Sequence, residues 1–228
     1  AMLHPFYAAT ARSFEAAGRP AIGSAPVGVE GTAAWLDAVA NTYGVSKAER
    51  EAAKTILPAI KGALAANPVK GTITVSGYEG SELLVARLLM ESGANVPYVG
   101  SACAKSAFNA DDAAWLEARG ATVKFRASLE DDCAAAIGLE PDLAIGTTPV
   151  VQKAKEAGIP GLYFTNLISA RPLMGPAGAG SLAQIVTAAM GNKSRMSEMK
   201  AFFEGTGTGD TAGIWEGAPN LQPEFRAR

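Results

Sequence analysis

Residues 161–185, GLYFTNLISARPLMGPAGAGSLAQI, place one cation, Arg171, inside a long uncharged stretch that leaves an apolar strand and enters an Ala-rich helix. The strand is read over Leu162 to Thr165, and a loop follows with Asn166, Leu167, Ile168, Arg171, Leu173 and Met174 before Gly175, Pro176, Gly178 and Gly180. Open α/β sheets take their ligands at the carboxyl ends of the strands, so this segment reads as a binding loop. Asn166, Arg171, Leu173 and Met174 are its candidate substrate-binding residues. An arginine buried among apolar side chains needs a carboxylate, from the protein, a subunit or a ligand. The glycines of GPAGAGS either cradle a phosphate or let the helix pack closely on its neighbours.

A second candidate is the turn SGYEGSE at residues 76–82, where a dinucleotide-binding fold carries its Gly-rich turn. It has two glycines three apart and no third, and Glu79 and Glu82 stand where a pyrophosphate would sit. That argues against NAD. Either the segment is a turn with a helix start, or Tyr78 and Glu79 line a pocket with Glu79 as a candidate proton donor. Thr147-Thr148-Pro149 is an N-cap followed by a first-turn proline, with a ligand contact as the other reading. Cys103 has only Lys105 beside it to lower its pKa, which gives no nucleophile. His4 reads as a helix-start residue rather than a metal ligand.

Composition narrows the classes. The chain has 228 residues, 48% of them apolar and 18% charged, enough for a substantial core, and its net charge of -2 comes without a basic run. Neither nucleic acid nor an anionic membrane surface is implied. No stretch approaches the roughly 20 apolar residues of a membrane span, and the start lacks a signal-peptide pattern, so a cytoplasmic protein is expected. Cys103, Cys133 and His4 are the whole thiol and imidazole inventory. Two thiols far apart suggest neither a disulfide framework nor a metal site, and an iron–sulfur cluster takes about four thiolates. No metal and no cofactor are expected in this chain itself.

These residues need a scaffold, and the pattern supplies one. Helical spacing covers residues 5–17 and 32–43, with a short strand expected over Arg19 to Gly23. Ser46 and Glu49 form a capping box, opening a helix to Ala66 that Pro58 should bend. Five short apolar runs follow: Thr72 to Val75, Asn95 to Val99, Thr122 to Arg126, Leu143 to Gly146 and Leu162 to Thr165. Helical segments lie between them at 81–92, 111–119, 129–137 and 149–157, and helices at 179–190 and 194–203 close the series. This is the rhythm of an α/β fold, a Rossmann-like parallel sheet flanked by helices. The expected organisation is a remnant of a preceding Rossmann-like domain at 1–45, a connecting helix at 46–68, the Rossmann-like domain at 69–204 and an extended arm at 205–228 anchored by Trp215 and Phe225.

The 161–185 segment, with HPFYAATARSFEAAGRP at 4–20, SAPVGVEGTAAWLDA at 24–38 and GIWEGAPNLQPEFRAR at 213–228, resembles the Y-subunit family of the nitrogenase-like chlorophyllide a reductases. The resemblance implies a domain like those of nitrogenase component 1, and this chain as the C-terminal half of the subunit. It also implies a Z-subunit partner in a heterotetramer and a transient ATP-dependent iron–sulfur reductase, subunit X. A 4Fe-4S cluster is expected in the full-length complex, on cysteines of an earlier domain that neither Cys103 nor Cys133 matches. The implied reaction is reduction of the C7=C8 double bond of chlorophyllide a, with the fragment contributing to the tetrapyrrole pocket and inactive alone. In the nitrogenase relatives a cofactor-binding histidine stands near the position of Phe164 to Asn166. A Rossmann-like small-molecule binding module without chemistry of its own is the alternative.

Overall fold

A computed structural model describes residues 7–202 of the chain. His4 and the expected arm at 205–228, with Trp215 and Phe225, lie outside the described residues. The first elements are helices α1 (Ala8–Ala16) and α2 (Gly28–Tyr43), and residues 19–23 between them form no strand. The capping box forms as read: the Ser46 hydroxyl accepts the Glu49 N–H, and the Glu49 carboxylate accepts the Ser46 N–H at 3.1 Å. The helix it starts does not bend at Pro58 but ends early. Helix α3 (Lys47–Ala53) passes through a 3₁₀ turn, and a new helix, α4 (Leu57–Ala66), carries the proline in its first turn, where no N–H is missed.

Five strands then alternate with helices: β1 (Thr72–Gly77), α5 (Glu82–Glu91), β2 (Asn95–Ser101), α6 (Ala110–Glu117), β3 (Thr122–Phe125), α7 (Leu129–Gly138), β4 (Leu143–Gly146), α8 (Thr148–Glu156) and β5 (Gly161–Tyr163). The sheet order is β3-β2-β1-β4-β5, and every pairing is parallel. The chain builds outward from β1 through β2 to β3, returns to the other side of β1 as β4, and ends at β5. The direction of building therefore reverses between β1 and β4, which leaves a crevice at their carboxyl ends. β-branched and apolar residues make these runs strands, and the period of two divides them between the faces. Leu143 and Ile145 enter the main core with Ile73, Val75, Leu88 and Leu182, whereas Ala144 packs on the other face with Ala136, Val150 and Ala154.

Beyond β5 the structure departs from the expected loop. Helix α9 (Phe164–Ala170) begins where the strand was expected to continue, because Phe164 and Leu167, three residues apart, both turn into the core. Ile168 and Leu173 pack against the same core. Helix α10 (Gly175–Met190) starts four residues earlier than expected, with Gly175 at φ +68 and Pro176 in the first turn. It packs on α4, and α11 (Lys193–Phe202) follows. Residues of the α2 region, Ala25 and Val27, join the same core cluster as the sheet.

Candidate functional site

The turn after β1 is organised by a carboxylate. Gly80 takes φ +90, and the backbone N–H groups of Glu79 and Gly80 both donate to Glu82 Oε1, at 2.8 and 3.0 Å. Ser101, at the end of the neighbouring strand β2, donates its hydroxyl to Glu82 Oε2 at 2.8 Å. Glu82 is fully buried, and burial pushes its carboxyl above the usual range against the pull of these donors. Ser81 stands at the N-cap but makes no capping hydrogen bond there; the glutamate one residue later takes up the turn's N–H groups.

The crevice between β1 and β4 opens as a cleft of about 460 Å³ lined by Tyr78, Gly146, Thr147, Tyr163, Thr165, Asn166 and their neighbours Thr148, Pro149 and Phe164. Not one of these side chains is charged. Two tyrosine rings and a proline give flat apolar faces, while three threonine hydroxyls, two tyrosine hydroxyls and an amide give polar contacts. Tyr78, just after β1, and Thr165, in the first turn of α9, bring their hydroxyls to 3.4 Å. Thr147 Oγ1 is buried without a hydrogen-bond partner at the start of α8. The amino-terminal end of α8 thus points its unsatisfied N–H groups and positive dipole end at the cleft. Lys155 lies over the Tyr163 ring at 5.4 Å and fixes that aromatic wall from outside.

The residues read from sequence divide between this cleft and its surroundings. Tyr78 and Asn166 line it together. Glu79 lends its N–H to the Glu82 carboxylate, and its side chain is half-buried beside the cleft residue Tyr78. Arg171 caps the carboxyl end of α9 and is exposed, so it needs no partner to offset burial. Leu173 packs inward, and Met174 is exposed. Gly178 serves packing rather than a phosphate: a Cβ there would stand 2.5 Å from the Leu173 carbonyl carbon. Sequence reading passed over Glu82 as more than a helix-dipole partner, and passed over Tyr163 and Thr165. Nor did it find Asp132 of α7, buried against β2, whose Oδ1 accepts the Tyr98 hydroxyl at 2.8 Å. Cys103 is buried after β2 and Cys133 lies on α7, both as thiols. Among the described residues no three His, Cys, Asp or Glu side chains gather as a metal site, so the donors present do not fit an iron–sulfur cluster.

Comparison with known proteins bears on all of this. The family described as nitrogenase component 1 type oxidoreductase matches residues 1–190. The chain is 69% identical over 228 residues to the chlorophyllide reductase 52.5 kDa chain of Cereibacter sphaeroides, covering 100% of this chain and 45% of that protein. It is 67% identical over 227 residues to the protein of the same name from Rhodobacter capsulatus, covering 99% of this chain and 46% of that one. The chain thus spans less than half the length of these relatives, and the expected placement in a C-terminal half is not supported by the matches. Among solved structures, two described as nitrogenase Cp1, at pH 6.5 and pH 5, are similar in fold. Their TM-scores are 0.53 and 0.54, at 21% and 13% identity, over 74% and 72% of this chain and 39% and 40% of theirs.

Proposed function

Because the chain belongs to the nitrogenase component 1 type oxidoreductase family, we propose that it is part of a chlorophyllide reductase subunit and that the β1/β4 cleft forms one edge of the tetrapyrrole pocket. The observation that carries this reading is 69% identity along the whole chain to a protein named as a chlorophyllide reductase chain. The cleft agrees with it chemically. Flat aromatic and proline faces suit a planar macrocycle, and hydroxyl and amide groups suit its carbonyl and ester substituents.

The reaction we propose adds two electrons and two protons across C7=C8 of chlorophyllide a, forming one C–H bond at each carbon. The donors described in this chain would not hold a redox group, so a 4Fe-4S cluster elsewhere in the full-length complex would supply the electrons. An ATP-dependent iron–sulfur protein that docks transiently as subunit X would deliver them, and a Z subunit would complete the pocket. This chain binds and orients the ring. Tyr78, Asn166 and Thr165 hold its edge, and the amino-terminal end of α8 favours negative charge developing on a ring carbonyl. Glu79, or the substrate's own propionate, donates one of the two protons, and solvent supplies the other. Arg171 lies about 8 Å along α9 from Asn166 at 1.5 Å per residue, so with Met174 it forms an outer rim where a guanidinium can meet a propionate. Assembly of the full-length subunit with its partner and the iron–sulfur protein, followed by the absorbance of chlorophyllide a, tests the reading. ATP-dependent loss of the substrate band supports it. Bound pigment that is never reduced would leave a binding module, and no bound pigment would defeat both.

A further inference from the structure

Glu82 holds the turn after β1 in the way a phosphate holds the turn of a nucleotide-binding fold. Two successive N–H groups converge on its Oε1 because Gly80 takes a left-handed φ of +90, the geometry of an anion-binding nest at a helix start. The helix is α5, ten residues long, and the anion comes from its own first residue. Nothing in the described residues pairs Glu82 with a cation; its remaining oxygen takes the Ser101 hydroxyl. The space is filled to contact, since a Cβ on Gly77 would stand 2.7 Å from Glu82 Oε1 and 3.0 Å from the cleft residue Phe164. Two residues before Gly80, the same turn delivers Tyr78 to Thr165 across the mouth of the cleft.

We propose that Glu82 is a built-in anion that closes this turn to phosphate and positions Tyr78 in the cleft. It is a positioning residue, acting through the backbone of residues 79 and 80 on a side chain it does not touch. The positioning half rests on the assignment of the cleft to the pigment; the closure to phosphate does not.

Two readouts on the assembled full-length catalytic component separate these halves, using Glu82→Ala, Glu82→Gln and the wild type. In calorimetry with inorganic pyrophosphate, Glu82→Ala should bind about tenfold or more tighter than wild type, since the emptied nest keeps its two N–H donors. Glu82→Gln should show no gain, because its amide oxygen still fills the nest and Ser101 can rotate to accept the amide N–H. In turnover assays Glu82→Ala should raise KM for chlorophyllide a about tenfold with kcat within about twofold, and Glu82→Gln should restore KM. A purely structural carboxylate would lower the amount of assembled complex and leave both constants of the assembled fraction unchanged. If Glu82→Ala does not assemble, Glu82→Ser carries the same two readouts, as it removes the anion while its hydroxyl keeps a polar group in the buried site. Pyrophosphate binding no tighter than wild type overturns the closure, and an unchanged KM overturns the positioning. A wild-type complex that fails to reduce chlorophyllide removes the positioning half with the functional reading, and the pyrophosphate result still decides the first half.

Discussion

Asp132 and Tyr98 form a buried pair, and burial lifts the Asp132 carboxyl from 3.8 to about 6, with the charges of Asp131 and Glu82 adding to the rise and the Tyr98 hydrogen bond opposing it. A carboxyl with a raised folded-state pKa stabilises most when protonated in both states. That stability is fully present below about pH 4 and is lost as pH rises through about 6, where the unfolded chain ionises more readily. Asp132→Asn, whose amide oxygen still accepts from Tyr98, should therefore match wild type near pH 4 and exceed it by up to about 3 kcal/mol above pH 7. Urea unfolding at several pH values checks this, and a gap that does not change with pH would contradict it. Arg171 makes a different case, being exposed at the end of α9. If it meets the pigment's propionate, Arg171→Ala should weaken chlorophyllide binding to the assembled complex by about 1.5 to 3 kcal/mol, and Arg171→Lys should recover only part. Lost subunit assembly with unchanged pigment affinity would give Arg171 to the interface instead. Neither Asp132 nor Glu82 could be assigned from sequence. Asp132 reads as one of three first-turn acids, and its partner Tyr98 lies 34 positions earlier.

At the scale of elements, spacing was a good guide wherever local and tertiary preferences agreed. Five short apolar runs with helical stretches between them have few arrangements other than a parallel sheet covered on both faces, and the sheet is that. The failures lie where burial overruled a local signal. The segment after β5 looked like a loop because it is uncharged, yet Phe164 and Leu167 wind it into α9 and the core. Pro58 looked like a bend, yet α3 ends before it and α4 begins around it. Glycine in α10 is a matter of packing, and substitution tests it. At Gly178 a methyl group would meet the backbone of Leu173 at 2.5 and 2.7 Å, so Gly178→Ala should cost about 1 to 3 kcal/mol of stability. A methyl group added at Gly62 in α4 would meet nothing within 4 Å, so Gly62→Ala should stabilise by about 0.5 to 1 kcal/mol. Thermal melts of the two variants should move in opposite directions; a neutral Gly178→Ala would remove the packing account of GPAGAGS.

On the scale of the whole molecule, the site was half legible. That ligands sit at the carboxyl ends of strands selected the turn at Tyr78 and the segment at Asn166, and both line the cleft. What sequence could not supply is the strand order. Only with β4 placed beside β1 do Thr147 and Tyr163 face Tyr78, and that adjacency comes from a crossover spanning two strands. The chain spans about 45% of the length of its chlorophyllide reductase relatives, and under the proposed function the cleft would be one wall of a pocket completed elsewhere. Tyr78 is the more exposed of that wall's two tyrosines, at 55% exposed with its hydroxyl anchored toward Thr165. The most direct measurement is an absorbance titration of chlorophyllide a against the assembled full-length complex carrying wild-type Tyr78 or Tyr78→Ala. Loss of the aromatic face should weaken pigment binding about tenfold, roughly the worth of one stacking contact, with assembly and melting temperature unchanged. Equal affinity in two equally folded complexes would contradict the assignment of this cleft to the tetrapyrrole pocket.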